Sequence, residues 1–311
     1  MNPLDTASIR RLRGPKASLD PARPYAISVE AERTAAGTVE DVLTVFLTNR
    51  ECPYTCLMCD LWTHTLDHSV EPGQVLEQVD YAIASTPGVR HIKLYNAGNF
   101  LDRRAIPASD RDALAGRLAG FDSVIIENHP RMCSEDLRAF QDGLSGELEV
   151  AMGLETVHPE VLPRLNKQMT LDDFALAAER LQDWGIHARA FVLLGLPWTP
   201  AGEFGKWAER SVAFARGAGC RVVAVIPTRA GNGAMDHLAA TGAFQEPTLR
   251  QLEDVQEALL PGPGRTFVDL WDAERFASCD TCRDARIERM GAINHGQTVL
   301  PTVACLECHA G

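Results

Sequence analysis

Seven of the nine cysteines fall into two tight arrangements. The first, Glu51-Cys52-Pro53-Tyr54-Thr55-Cys56-Leu57-Met58-Cys59, spaces three thiols as C-x3-C-x2-C. Three thiolates on one loop suit an iron-sulfur cubane, because a [4Fe-4S] cluster held by only three cysteines leaves one iron open to an outside ligand. Two plainer readings of the run are a zinc-bound loop, whose fourth ligand His64 or His68 could supply, and a Cys56/Cys59 redox pair. In the second arrangement, Cys279 and Cys282 are followed after a spacer of 22 residues by Cys305 and Cys308. Four such thiolates can close a tetrahedral site. Structural zinc is the simplest occupant and a second iron-sulfur cluster the alternative. His309 is left out of the set, since four thiols already complete it. Cys133 and Cys220 lie in or beside apolar segments and read as small buried hydrophobes.

An odd cysteine count in clustered spacings argues for metal ligation in a reducing compartment rather than a disulfide framework. The net charge of -12, from 30 basic and 42 acidic residues, opposes broad electrostatic capture of a polyanion such as tRNA. The basic stretch of Arg10, Arg11, Arg13, Lys16 and Arg23 reads as a solvated tail rather than an RNA-binding arm. No apolar run approaches the roughly 18 residues that span a bilayer, so no membrane partner is expected. The first residues lack the apolar stretch of a secretory signal, so a cytoplasmic location is expected.

Positioning the first triplet is a matter of the elements around it. From residue 41 the chain alternates β-rich runs with amphipathic helical patterns, the signature of an α/β fold with a parallel sheet. Strands are predicted at 41–49, 90–96, 122–128, 147–154, 187–195 and 221–227, and helices near 72–86, 108–118, 134–142, 170–184 and 201–217. Such units can wind as an open doubly wound sheet or as part of a barrel. Polar residues and glycines gather just after the strands, at 96–99, 127–129, 153–156, 195–197 and 228–232. In a parallel barrel those loops share the face on which active sites are built. The organisation expected is an N-terminal extension (1–40), a core (41–230), a helical connection (231–264) and a four-cysteine region (265–311). The break falls at the Pro-Gly run 261–264, and the last region is too short for its own core without a metal staple.

The triplet, its aromatic Tyr54 and its place after the first strand resemble the radical S-adenosylmethionine (SAM) superfamily. That resemblance covers about residues 41 to 230 and implies a partial (β/α)6 TIM-type barrel carrying a small cysteine-rich C-terminal region. It also implies that Cys52, Cys56 and Cys59 hold a [4Fe-4S] cluster, and that SAM chelates the open iron through its amino and carboxylate groups. Reductive cleavage to a 5'-deoxyadenosyl radical and hydrogen abstraction from a substrate would follow, with a flavodoxin or ferredoxin as electron donor. Tyr95, Asn96, Gly98 and Asn99 look like the segment whose backbone receives the SAM amino group, although the common Gly-Gly-Glu is absent. Glu127 and Glu155 would meet ribose hydroxyls or the amino group, and Lys167 and Arg189 the SAM carboxylate. For each carboxylate the alternative is a salt-bridged loop residue, for Lys167 a solvated charge, and for Arg189 an outward surface position.

Within the superfamily, the stretches LYNAGNFLDRRAIP, ENHP, GLETVHPEVLPRLNKQMTLDDF and RAFVLLGLP are most similar to the branch of the archaeosine synthase radical SAM subunit and the elongator-complex catalytic subunit. The charge balance favours a small-molecule biosynthetic substrate; modification of a nucleobase or tRNA is the alternative, and a non-catalytic metal-binding scaffold the third. Between the two C-terminal cysteine pairs, Arg286, Arg289, Asn294 and Gln297 are expected to reach back over the barrel mouth as a lid.

Overall fold

The computed structural model describes residues 4–260 and 262–308, so Pro261 of the Pro-Gly run and His309 lie outside the described residues. Its centre is one eight-stranded sheet whose spatial order equals chain order. The strands are β1 (Ala26–Arg33), β2 (Val39–Phe46), β3 (His91–Tyr95), β4 (Ser123–Glu127), β5 (Glu147–Glu155), β6 (His187–Leu194), β7 (Val222–Pro227) and β8 (Arg265–Val268). β1 runs antiparallel to β2, and every later pairing is parallel. A doubly wound sheet would reverse its order at a switch point; unbroken sequential order is the winding of a barrel. Among the described residues nothing pairs β1 with β8, so the barrel is partial and its two edge strands stay separate.

The six strands predicted from sequence correspond to β2 through β7. β1 and β8 were not foreseen as strands: β1 carries alternating charges, and β8 is four residues long. Helices follow each parallel strand: α2 (Gln74–Ser85), α3 (Ala108–Arg117), α4 (Asp136–Asp142), α5 (Leu171–Asp183) and α6 (Phe204–Gly217), then α7 (Ala234–Ala240), α8 (Leu249–Leu259) and α9 (Asp280–Gly296). A short α1 (Thr6–Leu12) precedes the sheet.

Period-two alternation builds the layers. Leu43 and Val45 of β2, Ile92 and Leu94 of β3, Val124 and Ile126 of β4, and Val150, Met152 and Leu154 of β5 are all buried in one core with the helices. Their alternates line the interior. α5 shows the helical counterpart: Phe174, Ala177, Ala178 and Leu181 form its buried stripe. Its start is fixed by a capping box, in which Asp173 N donates to Thr170 Oγ1 at 3.1 Å and Thr170 N donates to Asp173 Oδ2 at 2.8 Å.

At the N-terminal ends of the strands the interior is closed by an ion network. Glu32 of β1 accepts from Lys93 Nζ and from Arg189 Nη2, each at 2.6 Å. Arg189 Nε donates to Glu149 at 2.5 Å, and Arg265 lies 3.6 Å from the same carboxylate. Burial alone would raise the Glu32 carboxyl, but Arg189 and Lys93 hold it well below the usual carboxylate range. The plugged end leaves the opposite rim for chemistry.

The expected lid is corrected by the position of α9. This helix packs against the two edge strands, β1 and β8, and Asn294 and Gln297 bond to β8 rather than to the mouth. Val268 N donates to Asn294 Oδ1 at 3.0 Å and Asn294 Nδ2 to Val268 O at 2.9 Å. Thr266 N and O are matched in the same way by Gln297, at 2.8 and 2.9 Å. Arg289 donates to Glu253 of α8 at 2.7 Å and to Pro301 O at 2.7 Å. Arg286 also bonds Glu253. The physical reason is that buried Glu253 needs cationic partners.

Candidate active site

The cysteine loop leaves β2 at the open rim and is pinned by its neighbours. Leu57 is fully buried in a second core with Val161, Leu165 and Leu196. Its N–H donates to Leu165 O at 2.8 Å, and Asn166 Nδ2 donates to Thr55 O at 2.7 Å. Asn166 occupies the left-handed region at φ 52°, a conformation asparagine tolerates better than most residues. From the other side Asn232 Nδ2 donates to Leu57 O at 2.8 Å and to Cys59 O at 3.1 Å. Every loop carbonyl so held is one the loop could not satisfy by itself.

Tyr54 lies flat on His129, with ring centroids 3.9 Å apart and planes 13° from parallel. His129 Nε2 must donate to Lys167 O at 3.0 Å, because a carbonyl only accepts, and Nδ1 then accepts from Arg131 N at 3.2 Å. Burial, with the nearby Lys167 charge, pushes the His129 pKa down to about 4, in keeping with that neutral tautomer. His129 N also donates to Asn99 Oδ1 at 2.7 Å, which turns Asn99 Nδ2 toward Cys52 Sγ at 3.4 Å. An unbroken relay therefore runs from Tyr54 through His129 and Asn99 to the first cysteine.

Burial pushes the Cys52, Cys56 and Cys59 thiols each up to about 12. Three neutral thiols become thiolates together only against a strong positive charge, so the donor set fits a metal centre. A single zinc ion fits less well. Among the described residues, the group of metal-ligand side chains whose ligand atoms all lie within 4.8 Å of one another is the C-terminal quartet, not the triplet with His64 or His68. His64 instead stacks on Tyr25, with centroids 4.8 Å apart.

Around the loop stand the ends of β3, β4 and β5. Gly98 sits against the loop, where a Cβ would lie 3.6 Å from Cys52 Cβ. Both side-chain polar atoms of Asn96 are buried without a hydrogen-bond partner in the chain, as are Thr55 Oγ1 and Thr228 Oγ1. Such unmatched groups at a rim suit a polar ligand. Asn96 N donates to Glu127 Oε2 at 3.1 Å. Burial pushes the Glu127 carboxyl up to about 7, against the lowering effect of the Asn96 and Ala97 N–H groups. Lys167 Nζ donates to Glu155 Oε1 at 2.7 Å. Burial opposes the Lys167 charge, but Glu155 and, next, Cys56 raise its pKa above the ordinary lysine value. Glu155 follows a register shift after Gly153 and sits at φ 63°, a strained position of the kind that gathers at functional sites.

Of the residues singled out from sequence, Asn96, Gly98, Asn99, Glu127, Glu155 and Lys167 thus share the rim with the three cysteines. Tyr95 lies just beneath, its ring edge-on to Phe46 at 6.2 Å and to Phe191 at 6.3 Å. Arg189 points into the barrel, but at the plugged end, where Glu32 and Glu149 take its donors. Asn166 and Tyr25 were missed, and His129 and Asn232, although inside the loops expected at the active face, were given no role. Asn166 adjoins Lys167, and Asn232 lies between two glycines, a turn signal that names no target. Tyr25 carries no sequence signal at all, yet burial, then the charges of Glu127, Asp60 and Cys59, raise its hydroxyl pKa.

The model of the radical SAM superfamily matches residues 46–209, more than half of the chain. The chain belongs to the radical SAM superfamily. Among curated relatives of this radical SAM enzyme, an uncharacterized protein of Methanocaldococcus jannaschii is 25% identical over 190 residues, covering 56% of this chain and 52% of that protein. The archaeosine synthase subunit beta of Methanosarcina acetivorans is 25% identical over 173 residues, covering 51% of this chain and 49% of that protein. The chain spans about half the length of the curated relatives it matches. Among solved structures, the archaeal Elp3 of Methanocaldococcus infernus lacking its N-terminus (residues 1–46) superposes with a TM-score of 0.52 at 17% identity, over 70% of this chain and 58% of that one. The radical SAM family implies a [4Fe-4S] cluster and SAM, and the chain is an enzyme of that family. No helix among the described residues is long and apolar enough to cross a membrane.

The C-terminal quartet forms a separate centre at the start of α9. Cys279 Sγ lies 3.8 Å from Cys305 Sγ, and Cys282 Sγ 3.7 Å from Cys308 Sγ. Arg286 Nε donates to Cys282 Sγ at 3.2 Å.

Proposed function

We propose that this radical SAM enzyme binds SAM at a [4Fe-4S] cluster held by Cys52, Cys56 and Cys59 and acts on a small-molecule biosynthetic substrate over the open rim. The observation that carries this reading is the triplet itself: three half-buried thiols on one pinned loop, beside unmatched polar groups at the strand ends. When bound, the cluster and SAM supply a 5'-deoxyadenosyl radical for hydrogen abstraction. The protein's own part is to orient and to exclude water. Gly98 lets the backbone after β3 approach, Asn96 offers an unpaired donor and acceptor, and Glu127 and Glu155 offer carboxylate oxygens to hydroxyl or amino groups. Lys167 supplies positive charge beside the thiolates and is available to a carboxylate if Glu155 turns away. Arg189 is assigned to the ion plug, not to SAM.

An aromatic interior favours a small molecule. Tyr25, Phe46, Tyr95, Phe191 and the exposed Trp271 form a connected series of rings at and below the rim. The net charge of -12 disfavours bulk RNA. A nucleobase or tRNA substrate remains the second reading, favoured by the likeness to archaeosine synthase subunit beta; salt-sensitive binding of bulk tRNA separates the two. For the quartet we propose zinc. Zn–S bonds of about 2.3 Å give a tetrahedron edge of about 3.8 Å, close to the observed sulfur separations, whereas a cubane with one iron per cysteine holds its sulfurs further apart. The electron donor is proposed to be a flavodoxin or ferredoxin in the cytoplasm.

Anaerobic reconstitution tests the main reading. Reduced protein given SAM is expected to show a SAM-perturbed cluster signal by electron paramagnetic resonance and to form 5'-deoxyadenosine, both lost in Cys56→Ala. Protein that takes up zinc alone, with no iron, would overturn it.

A further inference from the structure

A second surface reaches the cysteine loop from outside the barrel. A cavity of about 400 Å³ is walled by Arg10, Arg13, Lys16, Arg50 and Arg104, with Cys52 in its lining. None of Asn96, Glu127, Glu155 or Lys167 lines it, so it is distinct from the rim at which SAM is placed. Two carboxylates join the five cations in the lining, and a third, Asp102 beside it, pairs with Arg104 at 3.1 Å. Glu51 pairs with Arg13 and Lys16, each at 2.7 Å, and Asp67 pairs with Lys16 at 2.7 Å. The cavity stays net positive on a chain whose total charge is -12. Arg10 and Arg104 are exposed at its edge.

We infer that this basic cavity is the docking surface for a small acidic electron-carrier protein, with Cys52 on the path by which the electron enters. The inference rests on the radical SAM reading, which requires a one-electron donor. One electron leaves the carrier, oxidising it by one unit, and reduces the cluster by one; no covalent bond forms or breaks. Charge complementarity picks the occupant. Electron-transfer encounters use small interfaces, at the low end of the range for protein complexes, and opposite charge steers and orients the partners. A local positive patch on an acidic protein confines an acidic carrier to one place and repels it elsewhere. RNA fits less well, because a nucleic acid needs an extended track of cations, and here the cations are confined to one cavity on an acidic chain.

The test uses the full chain with its cluster reconstituted and a purified acidic flavodoxin as probe. Wild-type protein should bind the flavodoxin in a salt-sensitive way, measured by calorimetric titration. Arg10→Glu with Arg104→Glu should weaken that binding by about tenfold or more at low salt, as reversal of steering charges does. Flavodoxin-driven 5'-deoxyadenosine formation should fall in parallel, while iron content and cleavage driven by reduced methyl viologen, a cationic small reductant, stay as in wild type. Arg10→Glu alone, on the exposed face of α1, should give a smaller loss in the same direction. Flavodoxin binding that is absent in wild type or unchanged in both variants would overturn the inference. Binding of tRNA that is lost in the variants while flavodoxin binding persists would also overturn it and give the patch to nucleic acid. Failure of methyl viologen to drive SAM cleavage in wild-type protein would strike the underlying reading instead, and this inference with it.

Discussion

Lys167 and Glu155 meet at 2.7 Å in the space that a side chain at position 153 would fill. A Cβ on Gly153 would fall 2.0 Å from Glu155 Oε1 and 2.5 Å from Lys167 Nζ. Gly153→Ala is therefore expected to separate the pair while leaving the sheet intact, because the clash is with flexible side-chain ends. Lys167→Met goes further and strands a buried carboxylate, which typically costs about 3–5 kcal/mol. Urea denaturation should rank Lys167→Met below Gly153→Ala and both below wild type. SAM affinity, measured on the reconstituted protein, should fall in both.

Glu127 gives a pH dependence. Its folded pKa of about 7 lies above the ordinary value of 4.5. Below about pH 4.5 the carboxyl is protonated in folded and unfolded chains alike. Between there and about 7 the unfolded chain releases a proton that the fold retains, so stability falls as pH rises through this window, by roughly 3 kcal/mol at most. Glu127→Gln should melt higher than wild type at pH 8 and equally at pH 4.5 in ligand-free protein. Equal melting at pH 8 would show that the carboxylate is solvated.

Arg189 separates plug from site. Arg189→Met leaves Glu32 and Glu149 buried without their main partner and should destabilise the protein by about 3–5 kcal/mol. SAM affinity of the folded fraction should be unchanged. A selective loss of SAM binding at normal stability would return Arg189 to the cofactor.

Cys305→Ser should release one equivalent of zinc and leave the iron at the triplet in place. Limited proteolysis is expected to cut first in 298–308, the segment that Arg289 and the quartet hold against α9. Loss of iron alongside zinc would argue that the quartet holds a cluster.

Much of the core was legible because short β-rich apolar runs take turns with amphipathic helical stretches, and α5 opens at its Thr170 cap, all local signals. The triplet was legible because its three ligands sit within eight residues. What sequence did not yield is long-range. The anchoring asparagines, 166 and 232, act on carbonyls more than a hundred residues away, so no local pattern marks them. Sequence left open whether Arg189 faced the barrel or the surface, and which end it faced depended on Glu32, in a strand whose alternating charges hid it. The lid expected from Asn294 and Gln297 failed for the same reason: their partners are backbone groups of a four-residue strand.

Those two amides have a consequence for how copies of the chain behave toward each other. A short terminal strand normally offers its free N–H and C=O groups as a template on which another chain can add a strand. Here Asn294 and Gln297 each return a donor and an acceptor to β8, imitating a ninth strand with side chains on a helix. A helix cannot be extended by further strands, so the β8 edge is terminated rather than merely covered. Replacing either amide would leave backbone groups of β8 unmatched and reopen that edge to strand addition.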